Sequence, residues 1–111
     1  MILMTEVILV IHNDKAKLVT LVSSGSVVTR TETEVFVGKK SVGYREFYAA
    51  VEVGLNPTYV FEMDLDEYER ACTIIGEKRH IPTELIWGGA KFNIIRTYEP
   101  NDGTIEVTVS L

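Results

Sequence analysis

Cysteine is almost missing from this 111-residue chain: Cys72 stands alone, so no internal disulfide can form. As a single cysteine it reads as a small buried hydrophobe rather than a reactive thiol. Long apolar runs are missing too. The longest, Val7 to Ile11, is far short of the roughly 20 residues that cross a bilayer as a helix. The first residues show no basic n-region and no small-residue cleavage site. These absences lead to the expectation of a soluble protein made in a reducing cytoplasm, without a membrane partner. Histidine is scarce. His12 and His80 are far apart, and neither has a second His or Cys at ligand spacing, so no metal or cofactor is expected.

Positive charge is also in short supply. The chain carries 16 acids against 11 bases, a net charge of −5. The deficit is concentrated: residues 32–69 hold nine acids and only Lys39, Lys40 and Arg45 as bases. A negative surface opposes phosphate contacts, so tight binding of DNA or RNA is not expected. Such a surface still suits a passage through which DNA slides without sticking, because like charges repel.

What the chain does have is hydrophobic content of 46% and clear alternation. This marks one globular domain over residues 1–111, with a core but little surplus stability. Short strands are expected at 7–12 and 18–22, followed by a turn at Ser23-Ser24-Gly25-Ser26. A long strand over 27–37 follows. Its odd positions (Val27, Thr29, Thr31, Thr33, Val35, Val37) form a β-branched face, and its even positions include Arg30, Glu32 and Glu34. Gly38-Lys39-Lys40 interrupts it. Residues 44–53 fit a strand and also fit a helix, with the strand preferred. Tyr59, Phe61, Met63 and Leu65 alternate with polar residues, so 44–53 and 59–65 are expected to form a hairpin whose tip is Gly54-Leu55-Asn56-Pro57.

One helix is expected from Asp64, with Leu65, Tyr68, Cys72 and Ile75 on one face. Asp64 would cap it through its side chain, Asp66 and Glu67 suit its positive end, and Gly76 would stop it. Strands follow at 84–87, after which Gly88-Gly89 turns the chain, and at 92–98. The turn Pro100-Asn101-Asp102-Gly103 leads to a last strand at 104–111. The expected fold is mainly β: a small antiparallel barrel or sandwich of six to seven strands, one short helix and a projecting hairpin loop.

No residue set carries a catalytic signature. Glu46 and Glu52 share a strand face but lie about 20 Å apart at ~3.3 Å per residue. That is too wide for two carboxylates acting on one bond, which need less than ~10 Å. Asp64-Leu65-Asp66 lacks the later Gly and closing ligand of a calcium loop. Gly88-Gly89 lacks the Lys-Ser/Thr pair of a phosphate loop. The chain is expected not to be an enzyme. Lys39, Lys40 and Arg45 form a small basic spot, read either as a solvated turn or as a contact for an acidic partner surface. Trp87 and Tyr98 can anchor an interface, with Trp87 better suited to the core.

The order of these features carries a resemblance. Val35-Phe36-Val37 ends a strand and is followed by Ser41-Val42-Gly43-x-x-Glu46-Phe47-Tyr48-x-Ala50. Then come Gly54-Leu55-x-Pro57, an apolar strand at 59–63, Asp66-Glu67-Tyr68, Phe92-x-Ile94-Ile95-Arg96-Thr97-Tyr98 and Ile105-Glu106-Val107. Over roughly residues 27–111 this resembles the head-closure (head–tail joining, or stopper) proteins of long-tailed bacteriophages and prophages. Residues 1–26 match only as an extended pair, and 73–82 depart from the pattern. The resemblance implies a non-enzymatic virion subunit at the head–tail interface, made in the bacterial host cytoplasm. It would form a homo-oligomeric ring below the portal and its adaptor protein, closing the DNA channel after packaging. A tail-completion or tail-terminator protein would dock below, and packaged DNA would pass without specific binding. By position, the family's gating loop falls on about Lys40–Thr58. Lys40, Tyr44, Arg45, Glu46, Phe47, Tyr48, Glu52, Gly54, Asn56 and Pro57 are then candidates for the channel element, and Lys39, Arg96 and Tyr98 for the interface. The competing expectation is a small β-barrel module that binds peptide or nucleic acid through an exposed aromatic-basic face.

Overall fold

A computed structural model describes residues 11–40 and 58–111. Two long strands open the described chain, β1 (Asp14–Ser24) and β2 (Val27–Lys40). Next come β3 (Tyr59–Asp64), a helix α1 (Leu65–Ala71), and the short strands β4 (Thr73–Ile75) and β5 (Lys78–His80). The end is β6 (Glu84–Trp87), β7 (Ala90–Tyr98) and β8 (Thr104–Ser110). Six strands close an antiparallel barrel in the order β1-β2-β3-β8-β7-β6, and β4-β5 form a separate two-stranded sheet. Over the described residues the fold is mainly β with one short helix, as the alternation led one to expect. The described strands number eight, because residues 73–80 form a hairpin of their own.

Closure decides which side chains are buried. Alternate residues of each strand point inward, and those of β1, β2, β3, β6 and β8 meet at the centre. Leu18, Val35, Val37, Phe61, Met63, Leu85, Val107 and Val109 are wholly buried. Each large side chain removed from water there stabilises the fold by roughly 1.5–3 kcal/mol. Tyr68 and Ala71 of α1 join this core and cover one side of it. The Tyr68 hydroxyl is pushed up to about 12, chiefly by burial.

Several local expectations are corrected. β2 runs through Gly38-Lys39-Lys40 without a break, because these residues pair with Glu62, Phe61 and Val60 of β3. Residues 11–13 are not strand, and 7–10 lie outside the described residues. The helix stops at Ala71 rather than at Gly76, since Cys72 is already extended. The β-branched run Thr73-Ile74-Ile75 favours a strand over another helical turn. Gly76, with φ +64, instead makes the tight β4–β5 turn. Asp64 sits at the helix N-cap position, but its side chain makes no capping bond. Its Oδ1 lies 3.4 Å from His12 Nδ1 instead. The Leu65 N–H is satisfied by the Gly103 carbonyl at 2.8 Å.

The 27–37 face also behaves differently from expectation. Val35 and Val37 are buried, but Val27, Thr29 and Thr31 of the same face are exposed. β1 pairs with β6 only from Lys17 to Val19, and β2 pairs with β3 only from Gly38 to Lys40. Beyond those points the two strands continue as a two-stranded ribbon. At its base Thr20 is fully buried, and its Oγ1 donates a 2.7 Å hydrogen bond to the Ala71 carbonyl at the end of α1. That bond satisfies a carbonyl the finished helix cannot pair internally.

Candidate functional site

The one long connection between neighbouring barrel strands, residues 41–57, leaves β2 at Lys40 and returns before Tyr59. The candidate channel residues Tyr44, Arg45, Glu46, Phe47, Tyr48, Glu52, Gly54, Asn56 and Pro57 lie in it, outside the described residues, as does the expected hairpin tip. The root of this connection is described, and it is held from both sides of the sheet.

Consecutive strand residues point to opposite faces. Lys39 shares the inward direction of Val35 and Val37 and emerges at the end of the barrel. Its ammonium lies 4.8 Å from the centre of the Tyr59 ring and 5.1 Å from that of Trp87. Such placement is attractive because the ring faces are electron-rich. The rings are fixed by one another. Tyr59 and Trp87 are 5.5 Å apart edge to face, Tyr59 and Phe92 likewise 5.5 Å, and Phe61 and Trp87 5.4 Å. The Gly88-Gly89 turn, both residues with positive φ, brings β7 back beside Trp87 so that Phe92 reaches this cluster.

Lys40 points the other way, to the outer face. Its Nζ lies 3.1 Å from Glu106 Oε2 and 3.5 Å from Glu62 Oε2. Glu62 and Glu106 stand directly opposite each other on β3 and β8. Two like charges so placed repel, and the lysine between them removes the penalty. Burial lowers the Lys40 pKa, but the hydrogen bond and charge of Glu106 and the charge of Glu62 outweigh it, so the value is raised. The other Glu62 oxygen, Oε1, is 2.9 Å from His12 Nε2, and His12 Nδ1 faces Asp64. A line of polar contacts thus runs Glu106, Lys40, Glu62, His12, Asp64 across β8, β2, β3 and the segment before β1.

The basic spot read from sequence is therefore divided. Lys39 belongs to the barrel mouth and Lys40 to an ion-pair network on the outer face, so neither is simply solvated. Of the expected interface residues, Arg96 and Tyr98 are both exposed on β7. Tyr98 is half exposed and pairs in register with Glu106, whose carboxylate contacts Lys40. An irregularity between Ile94 and Arg96 inserts Ile95 into the ladder, which resets the direction of the following side chains. Trp87 is half-buried in the aromatic cluster.

The sequence did not point to Tyr59, Glu62, Glu106 or His12 as parts of a site. Glu62 and Glu106 were legible as polar positions of alternating strands, but their meeting depends on the β3–β8 register. A second charged cluster was equally hidden. Glu84 accepts from Lys91 Nζ at 2.9 Å and from Arg30 Nη1 at 2.9 Å, and the Lys91 bond, with that of Arg30, holds its carboxyl below the ordinary range.

The arrangement offers binding and positioning. Cys72 is half-buried beside Arg79, and burial pushes its thiol up, away from thiolate reactivity. Among the described residues, no group of three or more His, Cys, Asp and Glu is arranged to hold a metal ion. No described helix is long and apolar enough to cross a membrane. No protein-family model and no curated protein matches the sequence.

Proposed function

We propose that this chain is a structural subunit of a bacteriophage head–tail connector, assembling as a ring that closes the DNA channel below the portal and adaptor. The observation that carries this reading is a 17-residue connection, 41–57, rooted between two adjacent strands of a closed barrel and clamped there on both faces. A moving element needs such a base: the barrel stays fixed while the connection rearranges. The segment holds Glu46 and Glu52, which suit a passage for DNA because they repel phosphate. The motif order of the sequence supports the same reading. Arg96 and Tyr98 are exposed and available for contacts with a neighbouring subunit or a tail protein.

Electron microscopy of the purified protein mixed with portal–adaptor assemblies tests the proposal. A ring of this chain seated below the adaptor is the expected result, and a protein that binds neither portal nor tail components would sink it. Deleting residues 52–57 separates gate from scaffold. The barrel should remain folded while DNA leaks from filled heads. An unfolded product would mean that the segment is part of the core.

A further inference from the structure

The ribbon that extends beyond the barrel presents a strand edge whose chemistry fits a second copy of itself. The Thr83 N–H donates to the Val19 carbonyl on the β6 side of β1. Odd residues of β1 therefore turn their backbone groups away from β2, and even residues turn theirs toward it. Through the register Leu18↔Thr33 and Thr20↔Thr31, the odd residues of β2 bond to β1 and the even ones face outward. The Arg70 guanidinium confirms the direction, since its Nη2 donates to the Glu34 carbonyl at 2.8 Å from outside the strand. Beyond Glu34 the N–H and C=O groups of Val28, Arg30 and Glu32 have no strand partner among the described residues. Such an edge is a template for another strand.

We infer that two copies of this chain pair antiparallel along this edge about a two-fold axis at Thr31. In that register Arg30 stands opposite Glu32 of the second copy, and Glu32 opposite its Arg30. Arg30 spends Nε on its own Glu32 and Nη1 on Glu84, so the Nη2 donors remain to meet the incoming carboxylate. On the other face Thr31 meets Thr31 and Thr29 meets Thr33, pairs that favour strand association. Sliding one copy two residues along the other, which moves the axis by one residue, preserves the hydrogen-bond pattern but sets Arg30 against Arg30, or Glu32 against Glu32. Like charges directly opposite are destabilising, so the charges favour the Thr31 axis over both adjacent registers. Arg30 and Glu32 are backbone-bonded pairs in this arrangement, giving four hydrogen bonds between the copies at the centre. The contact closes at two copies and does not rest on the ring reading.

Two measurements test it. In a Cys72→Ser background, Thr31→Cys places the two new cysteines in a non-hydrogen-bonded pair with Cα atoms about 4.5 Å apart, within disulfide range. Thr29→Cys places its cysteines four residues apart along the ladder, roughly 13 Å, out of range. Mild oxidation should cross-link the first variant and not the second. Cross-linking of the second and not the first would overturn the register. Sedimentation of the wild-type chain should show a dimer. Glu32→Pro removes the outward N–H and should weaken it about tenfold or more, whereas Glu32→Thr, which also lacks the carboxylate, should weaken it only a few-fold. A wild-type chain that stays monomeric at high concentration, or Pro and Thr variants that dimerise alike, would overturn the inference. A dimer that fails to bind portal assemblies would leave this inference standing and remove the ring proposal.

Discussion

The two halves of the β1–β2 hairpin share strands, pairing and alternation, yet they have opposite fates. In the lower half Ala16, Leu18, Val35 and Val37 are buried. In the upper half Val27 and Val28 are about 60% exposed, at 62% and 59%. Composition does not explain the difference, since both halves are rich in β-branched residues. The lower half has further strands on either side, which curl the sheet until its inner face meets the other strands' inner faces. Among the described residues the upper half has no further strand beside it in the sheet, and two paired strands alone cannot close around a core. An inward-pointing residue is buried only where the barrel is closed.

The sharpest way to test this contrast is to truncate one residue from each half. Leu18→Ala empties a fully buried position and should cost 2–5 kcal/mol in denaturant unfolding, with the midpoint shifted and the slope unchanged. A loss under about 1 kcal/mol would mean that the barrel centre is not packed as described. Thr20→Val acts at the boundary between the halves. It preserves shape but leaves the Ala71 carbonyl without its hydroxyl donor, and about 1–3 kcal/mol should be lost. Amide exchange near the end of α1 should rise with it.

Smaller effects are expected where the barrel ends. The raised Lys40 pKa means that its ion pairs stabilise the fold fully below the unfolded lysine value of about 10.4, and that this contribution fades as pH rises through the folded value. Lys40→Met should therefore flatten the alkaline fall in melting temperature. An unchanged profile would show that the Glu62 and Glu106 contacts contribute nothing. Glu84 gives the opposite sign. Its lowered pKa makes its contribution present above the unfolded value of about 4.3 and lost as pH falls further, and Glu84→Gln should remove that acid dependence. Smallest of all, Val27→Thr in the upper ribbon should change monomer stability by less than about 0.5 kcal/mol. A large loss there would erase the distinction between the halves.

The candidate site was legible only in fragments. Lys39 and Lys40 stood out as a basic spot beside a long connection, because charge and turn residues are local signals. That one enters an aromatic mouth and the other an ion-pair line follows from strand parity once β2 is known to run through them, and Gly38 concealed that continuity. Pairing with β3 overrode the local preference of the glycine to interrupt a strand. Likewise Ile75 kept a helical spacing with Tyr68 and Cys72, but the run Thr73-Ile74-Ile75 ended the helix early.

By itself the sequence determined the β class, most of the described strand positions, the start of the described helix, the turns at Gly88-Gly89 and Pro100–Gly103, and the lack of any local catalytic motif. These rest on near-neighbour chemistry: alternation, β-branching, and residues that allow positive φ. Only the tertiary structure decided that six strands close, which alternating faces are buried, and that Lys40 lies between Glu62 and Glu106 while Lys39 caps Tyr59 and Trp87. Those outcomes depend on register between strands far apart in the chain. A shift of one residue would turn every side chain to the other face, and no single strand contains the information that fixes it.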